Sequence, residues 1–216
     1  MLISEQNRTA IRERFAELKQ PVVLQYFESN LDCPLCGDVK QLLTELTELT
    51  PLLTVEVFNV YADESAAKSL KVDKAPTIVL TDDTHKDFGI RFYGAPSGYE
   101  FATLLEDILM MSARDSGLSA NTRSKLATLT NAVDLKVFVT PTCPYCPAAV
   151  RLAHQFAYES TWVHGAMVEA TEFPEWANKF QVYGVPKTIM NDIESQSVEG
   201  AVPEQMLLDE VMKVAS

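Results

Sequence analysis

The chain contains two Cys-x-x-Cys pairs, Cys33/Cys36 and Cys143/Cys146, and these pairs use all four of its cysteines. Two thiols at this spacing can close a small disulfide and reopen it. In that exchange a thiolate attacks a disulfide, and a second thiol then releases the product. The sequence therefore predicts dithiol redox chemistry at two places in one chain.

The same kinds of element flank each pair. An apolar run precedes each one, residues 22–27 in the first half and residues 135–139 in the second, and both runs are typical of a buried strand. Apolar residues recur at helical spacing after each pair. They are Val39, Leu42, Leu43 and Leu46 in the first half, and Ala149, Leu152, Phe156 and Ala157 in the second.

A proline follows the first cysteine of each pair, and proline suits the opening turn of a helix. We therefore expect Cys33 and Cys143 each to cap a helix. Free amides and the positive end of the helix dipole would lower the pKa of a thiol there and raise its thiolate fraction. Cys36 and Cys146 would return to the same helix end, where they can close the disulfide or resolve a mixed one.

A zinc site is the main structural alternative for such pairs. Zinc sites built from two Cys-x-x-Cys pairs usually keep them about 15 to 20 residues apart, whereas 107 positions separate Cys36 from Cys143. A purely structural disulfide is a weaker alternative, because residues 1–6 do not resemble a secretory signal and we expect a reducing, cytoplasmic compartment.

An internal repeat extends beyond the cysteines. Pro76 follows Cys33 by 43 positions, and Pro186 follows Cys143 by the same 43. Each proline opens an apolar strand, and a second short strand ending in Gly-Ala and an amphipathic helix come next. This repeat predicts two domains of one design.

These motifs resemble a known family. A strand, a Cys-x-x-Cys helix start and a later Ala-Pro or Val-Pro strand are similar to the thioredoxin fold, and Cys-Pro-Tyr-Cys at 143–146 resembles the glutaredoxin active site. Two such units joined through residues 91–101 resemble the protein disulfide oxidoreductases of thermophilic archaea and bacteria. The resemblance implies an α/β fold with two tandem thioredoxin-fold domains, each a central mixed sheet flanked by helices.

The resemblance also implies roles for the matching residues. The attacking cysteines would be Cys33 and Cys143, and the resolving cysteines Cys36 and Cys146. Pro76 and Pro186 would be cis-prolines beside the two disulfides, and the residues before them, Ala75 and Val185, would offer backbone hydrogen bonds to an extended substrate. A proline that merely begins a strand is the structural alternative.

The chain departs from thioredoxin itself at two positions in each half. Thioredoxins usually carry a tryptophan just before the first cysteine and a buried aspartate six residues before it. Asp32 and Thr142 occupy the first of these positions, and Phe27 and Val137 the second. These departures leave open which group accepts the proton of the resolving thiol. Glu28 is close in sequence, but a solvated glutamate is the simpler interpretation.

Amphipathic helices are expected over residues 5–19, with Ser4 as the N-cap, and over residues 122–131. Residues 115–119 have linker composition, so we place a domain boundary near Gly117. The predicted domains are residues 1–117 and residues 118–216, each of a normal domain size.

Composition excludes several functional classes. A net charge of −12 without a basic cluster counts against nucleic acid as a partner, and the absence of any long apolar run counts against a membrane span. The sequence contains no Gly-x-Gly-x-x-Gly motif, so we expect no bound dinucleotide cofactor. The wide separation of the two cysteine pairs is the reason that we expect no metal. The family resemblance implies that electrons come from a separate flavin-dependent reductase. His85, His154 and His164 are scattered, and we expect no catalytic role for them.

The two sites are not expected to be equivalent. Glu28, Asp32 and Asp38 lie close in sequence to the first pair, whereas no acidic residue occurs between Lys136 and Tyr158. Negative charge beside a thiol disfavours the thiolate. We therefore expect Cys143 to have the lower pKa and the faster exchange.

The sequence thus predicts a thiol-disulfide oxidoreductase that reduces, forms or isomerises protein disulfides. Two alternatives stay open. The first is an electron-carrier module for a peroxiredoxin-type peroxidase, although such modules usually retain one Cys-x-x-Cys pair. The second is a zinc-binding interaction protein.

Overall fold

The computed structural model describes residues 2–216 of the chain. These residues form two compact units, which we call unit 1 (residues 2–87 and 108–115) and unit 2 (residues 88–107 and 116–216). Helix α4, Glu100–Ala113, contributes residues 100–107 to unit 2 and its remaining residues to unit 1. The predicted boundary near Gly117 stays a prediction.

Unit 1 contains a mixed sheet with helices around it. Its strands are β1 (Val22–Glu28), β2 (Leu53–Asn59) and β3 (Thr77–Asp82), and its helices are α1 (Glu5–Phe15), α2 (Cys36–Thr47) and α3 (Glu64–Ser69). The central strand β1 runs parallel to β2, with Val22 opposite Leu53, and antiparallel to β3, with Phe27 opposite Thr77. The predicted strand over residues 22–27 is confirmed.

Unit 2 repeats this arrangement with more strands. Its elements are β4 (Asp87–Tyr93), α5 (Ala120–Leu126), β5 (Val133–Val139), α6 (Cys146–Glu159), β6 (Val163–Glu169), α7 (Pro174–Lys179), β7 (Lys187–Met190), β8 (Ile193–Glu199) and α8 (Glu204–Val214). The strand order is β4–β6–β5–β7–β8. Strand β5 runs parallel to β6 and antiparallel to β7, with Phe138 opposite Lys187.

Apolar clusters hold each sheet against its helices. In unit 1, Phe27, Val79 and residues around α3 such as Ala67 and Leu70 form one buried cluster. The corresponding cluster of unit 2 joins Phe138, Ile189, Phe173 and Phe180. The apolar runs before the cysteines are therefore central strands of the two cores, which fixes where the loops that follow them emerge. The chain has two tandem thioredoxin folds, each a mixed sheet flanked by helices.

Two helices end earlier than predicted. Helix α1 begins after the N-cap Ser4, as expected, but ends at Phe15 and not at Lys19. The amides of Lys19 and Gln20 donate to Ser112 Oγ at 2.8 and 2.9 Å, and Pro21 follows, so the backbone leaves the helical path.

Helix α5 covers Ala120–Leu126 rather than residues 122–131. Its N-cap is Ser119, whose Oγ accepts from the amide of Thr122, and the amides of Thr128 and Leu129 bond to carbonyls three residues back. These tight turns end the helix after Leu126. Within residues 2–216, no helix has the length and apolar character needed to cross a membrane.

Candidate active sites

The first site lies in unit 1 at the point where β1 ends and α2 begins. Cys33 and Cys36 form a disulfide, with their Cα atoms 5.4 Å apart. Cys36 is buried, and its Sγ accepts a hydrogen bond from the amide of Ser29 at 3.3 Å. Tyr26 anchors the helix start, since its hydroxyl donates to the carbonyl of Cys36 at 2.8 Å. Cys33 is partly exposed, so it is the more accessible cysteine of the pair.

The second site lies at the equivalent point of unit 2, between β5 and α6. Cys143 and Cys146 form a disulfide with a Cα separation of 5.5 Å. Cys146 is fully buried, and Cys143 is 7% exposed. The amide of Cys146 donates to Cys143 Sγ at 3.1 Å. Once the disulfide is reduced, a donor amide in this position would stabilise a thiolate on Cys143.

The prediction that Cys33 and Cys143 cap the helices is wrong. Helices α2 and α6 begin at Cys36 and Cys146, and the N-cap residues are Leu35 and Tyr145. Proline restricts the residue before it to extended backbone, so each first cysteine lies in a turn ahead of the helix. In the second site the helix still acts on the first cysteine, because its first amide points at Cys143 Sγ.

Both predicted cis-prolines are cis in the structure, in the bonds Ala75–Pro76 and Val185–Pro186. Each proline directly precedes a strand that pairs antiparallel with the strand leading into the cysteines. The register places Pro76 beside the end of β1 and Pro186 beside the end of β5. The tertiary structure therefore brings the proline segment and the Cys-x-x-Cys segment together in each unit, although 43 positions separate them in the sequence.

The carboxylates near the first site have different surroundings. Glu28 accepts from Lys40 Nζ at 3.0 Å and is ion-paired, which supports its interpretation as a surface residue. Asp32 and Asp38 are exposed, and Asp32 has a positive φ of 50°. The predicted difference between the thiol pKa values of Cys33 and Cys143 stays a prediction.

One buried carboxylate of unit 2 was not predicted from the sequence. Glu100 opens α4 and is 1% exposed. The amide of its neighbour Tyr99 donates to the carbonyl of Pro141 at 3.0 Å, two residues before Cys143. Glu100 therefore begins a helix that is fastened to the loop carrying Cys143. Its presence in the 91–101 segment was visible in the sequence, but its burial was not.

Burial raises the pKa of Glu100 to about 7, and the negative charge of Asp107 acts in the same direction. A hydrogen bond from Thr103 Oγ1 at 2.7 Å opposes this shift. The other carboxylate oxygen, Oε1, is buried without a hydrogen-bond partner. Glu100 can therefore take up and release a proton close to neutral pH.

His154 and Asp107 form a buried pair in unit 2. Both side chains are completely buried, and His154 Nδ1 lies 2.6 Å from Asp107 Oδ2. His154 Nε2 lies 3.2 Å from the carbonyl of Arg91, which can only accept, so we assign a proton to Nε2. His154 is a satisfied core residue that ties α6 to α4 and β4.

Among the described residues, no three His, Cys, Asp or Glu side chains cluster as a metal site would require. Each cysteine pair is instead closed on itself as a disulfide, and none of the four cysteines is free. This pairing favours the redox interpretation over the zinc alternative.

Comparisons with known proteins agree with this geometry. The family described as "Thioredoxin domain" matches residues 133–213. The crystal structure of a protein disulfide oxidoreductase from Aeropyrum pernix is 33% identical, with a TM-score of 0.92, and the match covers 100% of this chain and 94% of that one. The alkyl hydroperoxide reductase AhpF of Enterococcus faecalis shares the fold, with a TM-score of 0.88 at 24% identity, and the match covers 97% of this chain and 99% of that one.

A longer protein also matches in sequence. An alkyl hydroperoxide reductase of Staphylococcus aureus is 26% identical over 188 residues, which cover 83% of this chain but 34% of that protein. This chain therefore spans about a third of the length of that relative. The identity to the Aeropyrum enzyme over the full chain, together with two disulfides and two cis-prolines in tandem thioredoxin folds, leads to one assignment. The chain belongs to the family of protein disulfide oxidoreductases, enzymes of thiol-disulfide exchange.

Proposed function

We propose that the protein catalyses thiol-disulfide exchange on protein disulfides at both of its sites. The observation that carries this proposal is the repeated geometry. In each unit, a disulfide lies at the start of a helix, directly after the central strand of the sheet. The antiparallel pairing of that strand places a cis-proline beside its end. The two sites can reduce, form or isomerise disulfides, depending on their redox state and on the substrate.

The reductive reaction proceeds in two steps at each reduced site. The thiolate of Cys33 or Cys143 attacks one sulfur of the substrate disulfide, forming a mixed disulfide and releasing one substrate thiolate. Cys36 or Cys146 then attacks the mixed disulfide as a thiolate. The site becomes oxidised, the substrate gains two electrons, and two protons from the thiols balance the two substrate thiols formed.

Glu100 is the proposed proton acceptor for Cys146. The resolving thiol must lose its proton before it attacks, and Cys146 is completely buried. Glu100 is a buried carboxylate in the segment fastened to the Cys143 loop, and its pKa of about 7 suits proton exchange near neutral pH. This proposal concerns only the second site, because Glu100 belongs to unit 2.

The residues Ala75, Pro76, Val185 and Pro186 are the proposed substrate-binding positions. Pro76 and Pro186 are buried, whereas Ala75 and Val185 are partly exposed. An extended substrate segment would align with the backbone of Ala75 or Val185 and so present its disulfide to Cys33 or Cys143.

Electrons for the reductive direction would come from a separate flavin-dependent reductase, and the compartment would be the cytoplasm. Reducing compartments favour catalytic over structural disulfides, and all four cysteines lie in the two Cys-x-x-Cys sites. A role in redox homeostasis follows from this placement.

A second candidate is an electron carrier to a peroxiredoxin-type peroxidase. The sequence similarity to an alkyl hydroperoxide reductase favours it. The presence of two complete Cys-x-x-Cys pairs counts against it, because carrier modules of that kind usually keep one pair.

Insulin reduction by dithiothreitol, followed with each cysteine pair replaced by serine in turn, tests the main proposal. We expect the unaltered protein to accelerate precipitation of the insulin chains and the variant lacking all four cysteines to have no effect. Acceleration that persists without any cysteine would contradict the proposal. Reduction of a peroxiredoxin without any reduction of insulin would instead support the carrier.

A further inference from the structure

Unit 2 exposes four large aromatic side chains, and three of them lie around the second site. They are Tyr99, Tyr145 and Tyr183, with exposed fractions of 52%, 71% and 92%. We call these three residues the tyrosine rim. The fourth, Trp162, precedes β6 at the amino end of the parallel pair β5–β6, which is the end opposite Cys143.

Separate segments of the chain hold the tyrosine rim in place. Tyr145 lies between the two cysteines and is the N-cap residue of α6. The amide of Tyr99 donates to the carbonyl of Pro141 at 3.0 Å. Tyr183 lies three residues before the cis-proline Pro186. All three backbone segments thus meet the loop or the strand that frames the disulfide.

Three carboxylates around the first site have no charged counterpart around the second. A constant offset of 110 positions relates the two cysteine pairs and the two cis-prolines. At that offset, the exposed residues Asp32, Asp38 and Asp73 of the first site correspond to Thr142, Ala148 and Tyr183 of the second. Each of these carboxylates is therefore replaced by an uncharged residue in the second site.

The second site is also open beside its cis-proline. A Cβ added to Gly184 would meet no atom within 4 Å, and the first site carries Lys74 at the equivalent position. Gly184 lies between Tyr183 and Val185, and Val185 is the residue whose backbone is proposed to contact the substrate.

We propose that the tyrosine rim makes the second site select extended protein segments that carry an uncharged aromatic or apolar residue next to the half-cystine. This inference rests on the proposed function and specifies the substrate class of one site. An apolar substrate residue that packs against the tyrosine rim does not have to bury a charged side chain of the protein, so no desolvation cost opposes its binding. The tyrosine rings also offer flat apolar faces for an aromatic ring of the substrate. The chemical step is the exchange described above, with the same balance of electrons and protons.

The test uses a protein whose first pair is removed by Cys33→Ser and Cys36→Ser, so that only the second site reacts. Two disulfide-linked peptides differ in a single residue next to the half-cystine, which is tryptophan in one and serine in the other. The second-order rate constant for reduction of each peptide by the prereduced protein is measured, and the ratio of the two constants is the selectivity.

We expect the second site to favour the tryptophan peptide and Tyr183→Ser to lower the selectivity by about three- to tenfold, the range that loss of an aromatic pair would give. Tyr183→Phe should keep the selectivity, because the ring remains. Trp162→Ser is the matched control, since it removes an exposed aromatic residue of the same unit at the far end of the sheet. A selectivity unchanged by Tyr183→Ser, or lowered equally by Trp162→Ser, would overturn the inference.

The reciprocal change guards against damage to the site. In the protein with Cys143→Ser and Cys146→Ser, only the first site reacts, and Asp73→Tyr should raise its preference for the tryptophan peptide. If Asp73→Tyr did not raise this preference, the proposed role of the tyrosine rim in selectivity would also be contradicted. If the unaltered protein reduced neither peptide, the proposed function itself would fail, a result distinct from reduction without selectivity.

Discussion

The buried carboxylate of Glu100 should make the stability of unit 2 depend on pH, and Glu100→Gln should remove that dependence. Glu100 is 1% exposed, and its pKa is raised to about 7 from the ordinary value of 4.5. Burial is the main cause of this shift. Glutamine keeps the shape of the side chain without a charge.

The sign follows from proton binding. Between pH 4.5 and 7 the folded state holds the proton of Glu100 while the unfolded state releases it, so rising pH favours unfolding. Stability from this group is therefore full below pH 4.5 and lost as pH rises through 7. A shift of about 2.5 pKa units corresponds to about 3 kcal/mol, and about 2.5 kcal/mol of this falls between pH 5 and pH 8.

The assay is unfolding by guanidinium chloride at pH 5 and pH 8 with both disulfides intact, followed by tryptophan fluorescence. The only two tryptophans of the chain, Trp162 and Trp176, both belong to unit 2, so the fluorescence reports on that unit. Glu175→Gln, which removes an exposed carboxylate of unit 2, is the matched control.

We expect the difference in unfolding free energy between pH 5 and pH 8 to be smaller in Glu100→Gln than in the unaltered protein by about 2 kcal/mol. The Glu175→Gln variant should follow the unaltered protein. If Glu100→Gln kept the original pH dependence to within about 0.5 kcal/mol, the buried, proton-holding state of Glu100 would be refuted, and its proposed role as a proton acceptor would lose its basis.

Two further predictions concern the loop and the thiols. Gly98 has a φ of +59°, and a Cβ there would lie 2.0 Å from the carbonyl oxygen of Pro141, so Gly98→Ala should destabilise unit 2 by about 2 kcal/mol or more in the same fluorescence assay. Gly184→Ala, at an open position, should change the unfolding free energy of unit 2 by less than about 0.5 kcal/mol. Equal effects of the two substitutions would contradict the steric explanation for Gly98. Thiolate ultraviolet absorbance against pH should show a lower pKa in reduced Cys33→Ser, which retains Cys143, than in reduced Cys143→Ser, and the opposite order would show that nearby acidic residues do not set the difference.

Most of the fold was predictable from local patterns. The strands before the cysteines are mostly apolar, and the helices after them have apolar residues at helical spacing, so both follow from short stretches of sequence. The helix ends were less predictable. Helix α1 ends at Phe15 and does not continue to Lys19, because the amides of Lys19 and Gln20 bond to Ser112, a residue far along the chain. Only the folded chain provides that partner.

The two candidate active sites also combine features that were predicted with features that were not. The cysteines and prolines were identified from the repeat, because the 43-position spacing recurs in both halves. The expected helix caps were wrong, because a proline after the first cysteine also fits a turn before the helix, and the sequence does not distinguish these two positions.

The sequence by itself determined the chemistry of this protein, since thiols at Cys-x-x-Cys spacing and their repeat with the prolines are properties of residue types and intervals. The tertiary structure decided which groups surround the thiols. It buried Glu100 and so raised its pKa, and it brought the segments that carry Tyr99 and Tyr183 to the loop and strand next to Cys143. Burial and proximity depend on strand register and on loop contacts between residues distant in sequence, and no local pattern records them.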